Sequence, residues 1–390
     1  MTASDSAPFS ISSQKLLEDL FRAYKDARRH KRSRDYQQQF ELNAESSLIR
    51  LRNTILSRRY KPGISTCFVI RDPKVREVFA ASFRDRVVHH LLYNYIAPFI
   101  IPNFIQDSYS CIPGRGTHYG ISRLRENIVD VSHNYSRPCY VLKMDIKGYF
   151  MHINRSRLLR FCREDIVPFR EHLDYTLVDY LLEAIVMQDP TRNCRRLGEA
   201  SDWSDLPPDK SLFNSPPECG LPIGNLTSQL FSNIYLDRLD KFVTCALSVR
   251  HYGRYVDDFY IVASSKAELR RLVAPITEFL NAELGLQVSR RKVQIYSAYR
   301  GVEFLGAYLK PFRSYISNQS LSRMWRRIPS LRCFDANHLS HSINSYMGIL
   351  CHYSSYNIRT DIAFDRIPFA LSLGYYKTSL LRYFLSRCPD

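Results

Sequence analysis

Residues 254–262 read RYVDDFYIV. Strand-forming residues lie on both sides of the paired acids, so Asp257 and Asp258 are expected at the tip of a tight turn between two strands. Neighbouring residues of an extended strand point to opposite faces, so both carboxylates cannot serve one site from within a strand. At a turn they splay, and one of them can converge with a carboxylate from another strand. The run YVLKMDI at 140–146 supplies it, an apolar buried-strand pattern with Asp145 at its C-terminal edge. Two carboxylates at neighbouring strand ends repel unless a positive charge sits between them. Mg²⁺ fills that role well, because it takes oxygen ligands and is held by one or two carboxylates plus substrate phosphates. Two such ions about 3.5–4 Å apart activate a 3′ hydroxyl and stabilise a departing pyrophosphate, which on a basic chain reads as nucleotidyl transfer. An Asp pair alone would more often be an ordinary Asp-rich β-turn.

Composition narrows the field. The 390 residues, 45% of them hydrophobic, are enough for a sizeable core and two or three subdomains. Lys plus Arg number 55 against 38 acids, a net charge of +17, and such an excess points to a polyanionic partner through counterion release. A merely soluble basic protein is the plainer alternative. The 26 tyrosines suit base and sugar stacking, although most of these rings belong to the core. The ten cysteines contain no C-x-x-C pair, which argues against a thiolate metal site or a disulfide framework and for reduced thiols in a cytosolic protein. MTASDSAPFS lacks the charged-then-apolar pattern of a secretory signal. The most apolar stretch, VVHHLLYNYIAPFIIPNFI at 87–105, holds two histidines and two prolines and reads as a buried helix and turn, not a bilayer span.

Along the chain, residues 14–57 carry apolar residues at helical spacing (Leu16, Leu17, Leu20, Phe21, Tyr24) and a basic run, RRHKRSR, at 28–34. Prolines and short β-rich runs between Tyr60 and Phe83 predict a hairpin, with helix from Arg84. Residues 190–219, rich in Pro, Asp and Ser, are expected as a loop insertion. Helix resumes near Thr227, strands flank the paired acids, and a helix (KAELRRLVAPITEFLNAELG), short strands through 310 and a basic, mostly helical tail follow.

With these parts in order, the chain resembles the reverse transcriptases. RYVDDF matches their Y-x-D-D signature, and VLKMDIKGYF resembles their first palm motif, with an aromatic five positions after the acid. Between them GLPIGNLTSQLFSNIYLDRLD resembles the third block; DPKVREVFAASFRDRVVHHLL resembles the fingers motif, DSYSCIPGRGTH the next block, LQVSRRKVQI the palm lysine segment and GVEFLG the primer-grip hairpin. The resemblance covers roughly residues 60–310 and implies an α+β right-hand polymerase fold. Its expected parts are an N-terminal helical extension (1–58), fingers (59–139), palm (140–310, with the insertion at about 190–219) and a small helical thumb (311–390).

The resemblance implies an RNA-directed DNA polymerase using two Mg²⁺ ions, with Mn²⁺ able to substitute. Asp145 and Asp257 would ligate them with help from the Ile146 carbonyl, and Asp258 would shape the field and add a further ligand. Phe150 stands at the steric gate, an aromatic ring against the sugar's 2′ carbon, or else is a core aromatic. Arg76 and Lys74 resemble the cations that grip the triphosphate of a dNTP, or else are ordinary surface charges. Gly224 and Gln229 lie in the block beside the nucleotide, and Lys292, or a neighbour in RRK, matches the palm lysine near the leaving pyrophosphate. Gly301, Phe304, Leu305 and Gly306 form the primer grip, the glycines allowing close backbone approach.

Most of the family carries Gln-Gly and then Ser-Pro in the third block, where this chain has Ile223-Gly224 and Ser228-Gln229. IGNLTSQ, preceded by LPPDKSLF, resembles the reverse transcriptases of bacterial and phage diversity-generating retroelements, as do RDRVVHHLL and SINSYMGILCHYSSY. That subgroup implies copying of a template-repeat RNA into cDNA mutated mainly at template adenines. Ile223 either merely packs the palm or makes only van der Waals contact where a Gln could hydrogen-bond. Loss of about 0.5–1.5 kcal/mol would relax discrimination roughly threefold to tenfold. Expected partners are template RNA, cDNA, the RNA/DNA duplex and an accessory variability protein that forms a pentameric barrel, with no membrane. The residues after Gly306 are too few for an RNase H domain and carry no acid cluster to serve one. The alternatives are a retron, group II intron-like or defence-associated reverse transcriptase without a mutagenic role, an RNA-dependent RNA polymerase (disfavoured by Phe150), and an RNA-binding protein on a dead polymerase scaffold.

Overall fold

The computed structural model describes residues 10–29, 35–72, 74–329, 336–362, 375–377 and 385–387. Residues 30–34 of the basic run, residue 73 of the fingers motif and much of the tail beyond 362 lie outside them. The chain divides into two compact units. The first comprises the described residues of Met1–Gly116, Met144–Phe259 and Arg271–Val293, the second those of Thr117–Lys143, Tyr260–Arg270 and Gln294–Asp390.

In the first unit the predicted N-terminal helices are α1 (Ser13–Arg28), α2 (Asp35–Glu41) and α3 (Ala44–Leu56). Leu16, Leu20, Ala23 and Ala27 of α1 are buried at helical spacing, and Ser12 caps its start by accepting from the Lys15 amide at 3.1 Å. The expected hairpin is β1 (Ser65–Ile70) with β2 (Arg76–Ala80), antiparallel from Thr66↔Ala80 to Ile70↔Arg76. It leads into α4 (Phe83–Ile100), capped by Ser82. The apolar 87–105 stretch is largely this helix, buried on most sides, and no described helix is long and apolar enough to cross a membrane.

Beyond it come α5 (Thr117–Val131), β3 (Tyr140–Asp145), the single turn α6 (Tyr149–His152), α7 (Arg155–Ile166) and α8 (Tyr175–Val186). Then follow β4 (Cys194–Arg196), α9 (Leu226–Lys241), β5 (Tyr252–Tyr255), β6 (Asp258–Ala263) and α10 (Lys266–Ala282). Helix α9 is buried on nearly every side, as a central helix must be. Strands β5, β6 and β3 join β7 (Gln294–Ser297) in a four-stranded sheet ordered β5-β6-β3-β7.

In the second unit β3 pairs antiparallel with β7 from Tyr140↔Ser297 to Lys143↔Gln294. A meander follows, β8 (Val302–Phe304), β9 (Ala307–Lys310) and β10 (Arg313–Ile316). Then come α11 (Asn318–Arg327), α12 (Ala336–Leu350) and α13 (Tyr356–Asp361), with Ile316, Met324, Ile328, Ile343, Met347, Leu350 and Ile362 forming one apolar cluster. The tail expected to be mostly helical also contains a short antiparallel pair, β11 (Tyr375–Lys377) and β12 (Leu385–Arg387).

Candidate active site

Strand β3 buries Val141, Leu142 and Met144 and delivers Asp145 at its last position. Just beyond, Ile146 forms an antiparallel bridge with Val288. The Ser289 amide donates to the Asp145 carbonyl and the Lys147 amide to the Gln287 carbonyl, each at 2.8 Å. Those bonds use the residues on either side of Ile146 and leave its own carbonyl out of the bridge. The same 287–293 segment brings Lys292, whose Nζ lies 2.7 Å from Asp145 Oδ2.

Asp257 falls in the turn between β5 and β6, and Asp258 is the first residue of β6. Burial pushes the Asp257 carboxyl up to about 6, with the negative charges of Asp145 and Asp258 adding to the rise and Lys292 opposing it. The folded chain therefore brings Asp145, Asp257, Asp258 and Lys292 within one another's electrostatic reach. All four belong to the first unit.

The turn is held from beneath. Val256 has φ +55°, a strained conformation for a β-branched residue. The fully buried Arg254 donates through Nη1 to the Val256 carbonyl at 3.1 Å. Its Nε and Nη2 clasp the two oxygens of the fully buried Asp240 at 2.7 and 2.6 Å, and Nη2 also reaches Ser108 Oγ at 3.1 Å. Tyr252 donates its hydroxyl to Asp240 at 2.6 Å. None of these partners announces itself in the sequence.

Ile223, Phe150, Met151, Phe79 and Leu212 pack in one apolar cluster, Ile223 and Phe150 at its half-buried margin. The Phe79 amide donates to the Ile223 carbonyl at 2.8 Å. Gly224, at φ +125°, brings its backbone so close to β2 that a Cβ would lie 2.8 Å from Val78 Cγ1 and 2.9 Å from the Phe79 carbonyl oxygen. Gln229 is exposed on α9, and Lys74 and Arg76 are exposed on the β1–β2 hairpin. In the second unit, Leu305 (φ +49°) and Gly306 (φ +83°) turn the β8–β9 hairpin. The Phe304 ring is fully buried, edge-on to Tyr260 at 5.1 Å, and a Cβ on Gly301 would strike the Tyr308 ring.

The family described as reverse transcriptase (RNA-dependent DNA polymerase) matches residues 70–309, more than half of the chain, including both carboxylate-bearing strand ends. The chain belongs to the reverse transcriptase family. Its mixed fold of helices and strands is the polymerase fold expected from the sequence. Protein YkfC of Escherichia coli (strain K12) is 24% identical over 298 residues, covering 68% of this chain and 71% of that protein. Among solved structures, an apo telomerase from Candida tropicalis truncated from its C-terminal domain is 13% identical with a TM-score of 0.46. The match covers 71% of this chain and 60% of that one. A second apo telomerase from the same organism is 12% identical with a TM-score of 0.48, over 75% and 52% of the two chains.

Reverse transcriptases use divalent metal ions, and the donors of this one can be compared with that need. Among the described residues no three His, Cys, Asp or Glu side chains form a ready-made metal cage. Mg²⁺ does not require one, since it keeps several waters and takes one or two carboxylates plus substrate phosphates. The carboxylates of Asp145 and Asp257, with an Ile146 carbonyl left out of its bridge, are a donor set of that kind. The residues present therefore fit the metal.

Proposed function

We propose that this reverse transcriptase copies a template-repeat RNA into cDNA by two-metal nucleotidyl transfer, and that it mutates the copy mainly at template adenines as part of a diversity-generating retroelement. The observation that carries the catalytic half is the meeting of Asp145, Asp257 and Asp258 beside Lys292 in a chain of this family. Bound Mg²⁺ ions supply the Lewis acidity that makes a primer 3′ hydroxyl nucleophilic at neutral pH. Asp145, Asp257 and the Ile146 carbonyl would hold them, and Asp258 would add negative field. Arg76 and Lys74 grip the triphosphate, and Phe150 excludes a 2′ hydroxyl. As the 3′ oxygen, its proton released to solvent, bonds to the α-phosphorus and the bond from that phosphorus to pyrophosphate breaks, the Lys292 ammonium neutralises or protonates the leaving group.

The mutagenic half is supported by IGNLTSQ and by the place of Ile223, an apolar side chain sharing one cluster with Phe150. A small basic accessory protein forming a pentameric barrel belongs to the same proposal. Primer extension on an RNA template with dNTPs and Mg²⁺ tests the first half: wild-type protein extends and Asp257→Asn does not. Extension by Asp257→Asn at the wild-type rate would remove the assigned metal ligand. Sequencing cDNA from Ile223→Gln tests the second. Misincorporation opposite adenine should fall roughly threefold to tenfold, the effect of one regained polar contact. Unchanged adenine errors in an active variant reject the role of Ile223.

A further inference from the structure

Side chains alternate along β2. Glu77 and Phe79 are buried, while Arg76 is exposed on the other face and shares that face with Val78, which abuts Gly224. The Glu77 carboxylate accepts three hydrogen bonds: from Trp203 Nε1 at 2.8 Å, Ser211 Oγ at 3.2 Å and the Leu212 amide at 2.7 Å. All three donors come from residues 190–219, expected from composition as a loop insertion.

The rest of that segment is bound to the same hairpin. Strand β4 runs parallel to β1 from Ser65↔Cys194 to Cys67↔Arg196, and the Leu197 amide donates to the Cys67 carbonyl at 2.8 Å. Phe213 packs on Phe79 with ring centroids 5.6 Å apart, under an Arg196 guanidinium 3.9 Å from its centre. Arg71 pairs with Asp202 at 3.2 Å. A carboxylate buried to 1% exposure with three donors from one segment ties that segment to one position on β2.

We propose that Glu77 is a positioning residue: by latching onto Trp203, Ser211 and Leu212 it fixes β2 and thereby holds Arg76 at the incoming triphosphate, which makes residues 190–219 a brace for nucleotide binding. The role of Arg76 rests on the polymerase function proposed above. The latch does not.

The test is steady-state primer extension with Trp203→Phe, which removes the indole N–H and keeps an aromatic ring. Ser211→Ala is the milder second variant, should the first fail to fold. In Trp203→Phe the dNTP KM should rise roughly fivefold to tenfold, with kcat and template–primer Kd within about twofold of wild type. Ser211→Ala should move KM the same way by a smaller factor. Hydrogen exchange across 65–80, measured on the same proteins without substrate, should quicken. An unchanged KM beside quickened exchange would overturn the nucleotide role, leaving a purely structural tether. Weakened template–primer binding at constant KM would overturn it in favour of an RNA contact, and unchanged exchange would refute the latch. A wild-type protein that extends no primer sinks the polymerase function and Arg76's part in it, while the exchange comparison still judges the latch.

Discussion

Replacing Arg254 with Met removes the guanidinium that holds the Asp257–Asp258 turn. Arg254 and Asp240 are both at 0% exposure, so the single variant strands a buried carboxylate and should cost about 3–5 kcal/mol of stability. Replacing the buried ion pair and the tyrosine hydroxyl bonded to it by apolar residues is a different perturbation. In Arg254→Met, Asp240→Leu, Tyr252→Phe no charge is left unpaired, and substitutions of this kind are often neutral or stabilising by about 1–4 kcal/mol. The triple variant should therefore recover most of the urea midpoint lost by the single one.

It should not recover catalysis. The backbone at Val256, φ +55°, stores roughly 1–3 kcal/mol of strain that the Arg254 bond to its carbonyl helps to hold. With that bond gone the turn relaxes and its carboxylates shift. About 1.4 kcal/mol of lost transition-state stabilisation is a tenfold loss of rate. Primer-extension kcat in the triple variant should thus stay roughly tenfold to a hundredfold below wild type. A triple variant with wild-type stability and wild-type kcat would refute the claim that this clamp serves the turn.

Two further outcomes concern His89 and Gly224, which lie around the third block. His89 is buried with Nδ1 2.7 Å from Thr227 Oγ1, and burial pulls its pKa down to about 4. The unfolded chain protonates this ring first, near its usual pKa of about 6.5. Its stabilising contribution is therefore complete above that pH and is lost as pH falls towards 4, about 3 kcal/mol in all. Urea unfolding of His89→Gln should show a flatter pH dependence across that window, and an unchanged slope would count against the assignment. Gly224→Ala should destabilise by at least roughly 1–3 kcal/mol in thermal unfolding, because its φ of +125° and the nearby Phe79 carbonyl leave no room for a methyl group. A neutral effect would mean that β2 and the Ile223–Gly224 loop separate freely.

The strands, the central helix and the paired-acid turn were legible because each has a local signature. Asp145 ends a buried apolar run, the acids at 257–258 interrupt strand-forming residues, and the helix after Asn225 carries apolar residues on every side. The 190–219 segment was legible only as a departure from such patterns. Its anchors are an indole N–H, a hydroxyl and a main-chain amide meeting a carboxylate far away in the chain, and no periodicity encodes them. The role of Arg254 was not legible for a related reason. Arginine is almost never fully buried, so its presence beside two acids reads as surface charge until Asp240 is found beneath it. In the tail, three-residue strands such as Tyr375–Lys377 are too short to show an alternation.

These latches share a chemistry that bears on the partner. Asp85 gathers the Tyr60 hydroxyl, the Gly63 amide and the Ser82 hydroxyl at 3.1, 2.8 and 2.7 Å. Asp174 takes the Ile11 and Leu177 amides and the Thr176 hydroxyl, while Glu77 and Asp240 do the same for the insertion and the Asp257–Asp258 turn. A carboxylate accepts only, at about four lone-pair sites, so one short side chain can collect the spare donors of a loop. Using acids as internal staples withdraws them from the surface. Among the described residues Asp19, Glu77, Asp85, Asp174, Asp237 and Asp240 are buried, against only Arg155 and Arg254. Burial among the described residues thus removes more acids than bases from the surface, which favours a polyanionic partner. Asp257 stands apart from these staples. Burial and the charges of Asp145 and Asp258 all raise its pKa, so a bound cation would lower the cost of its negative charge.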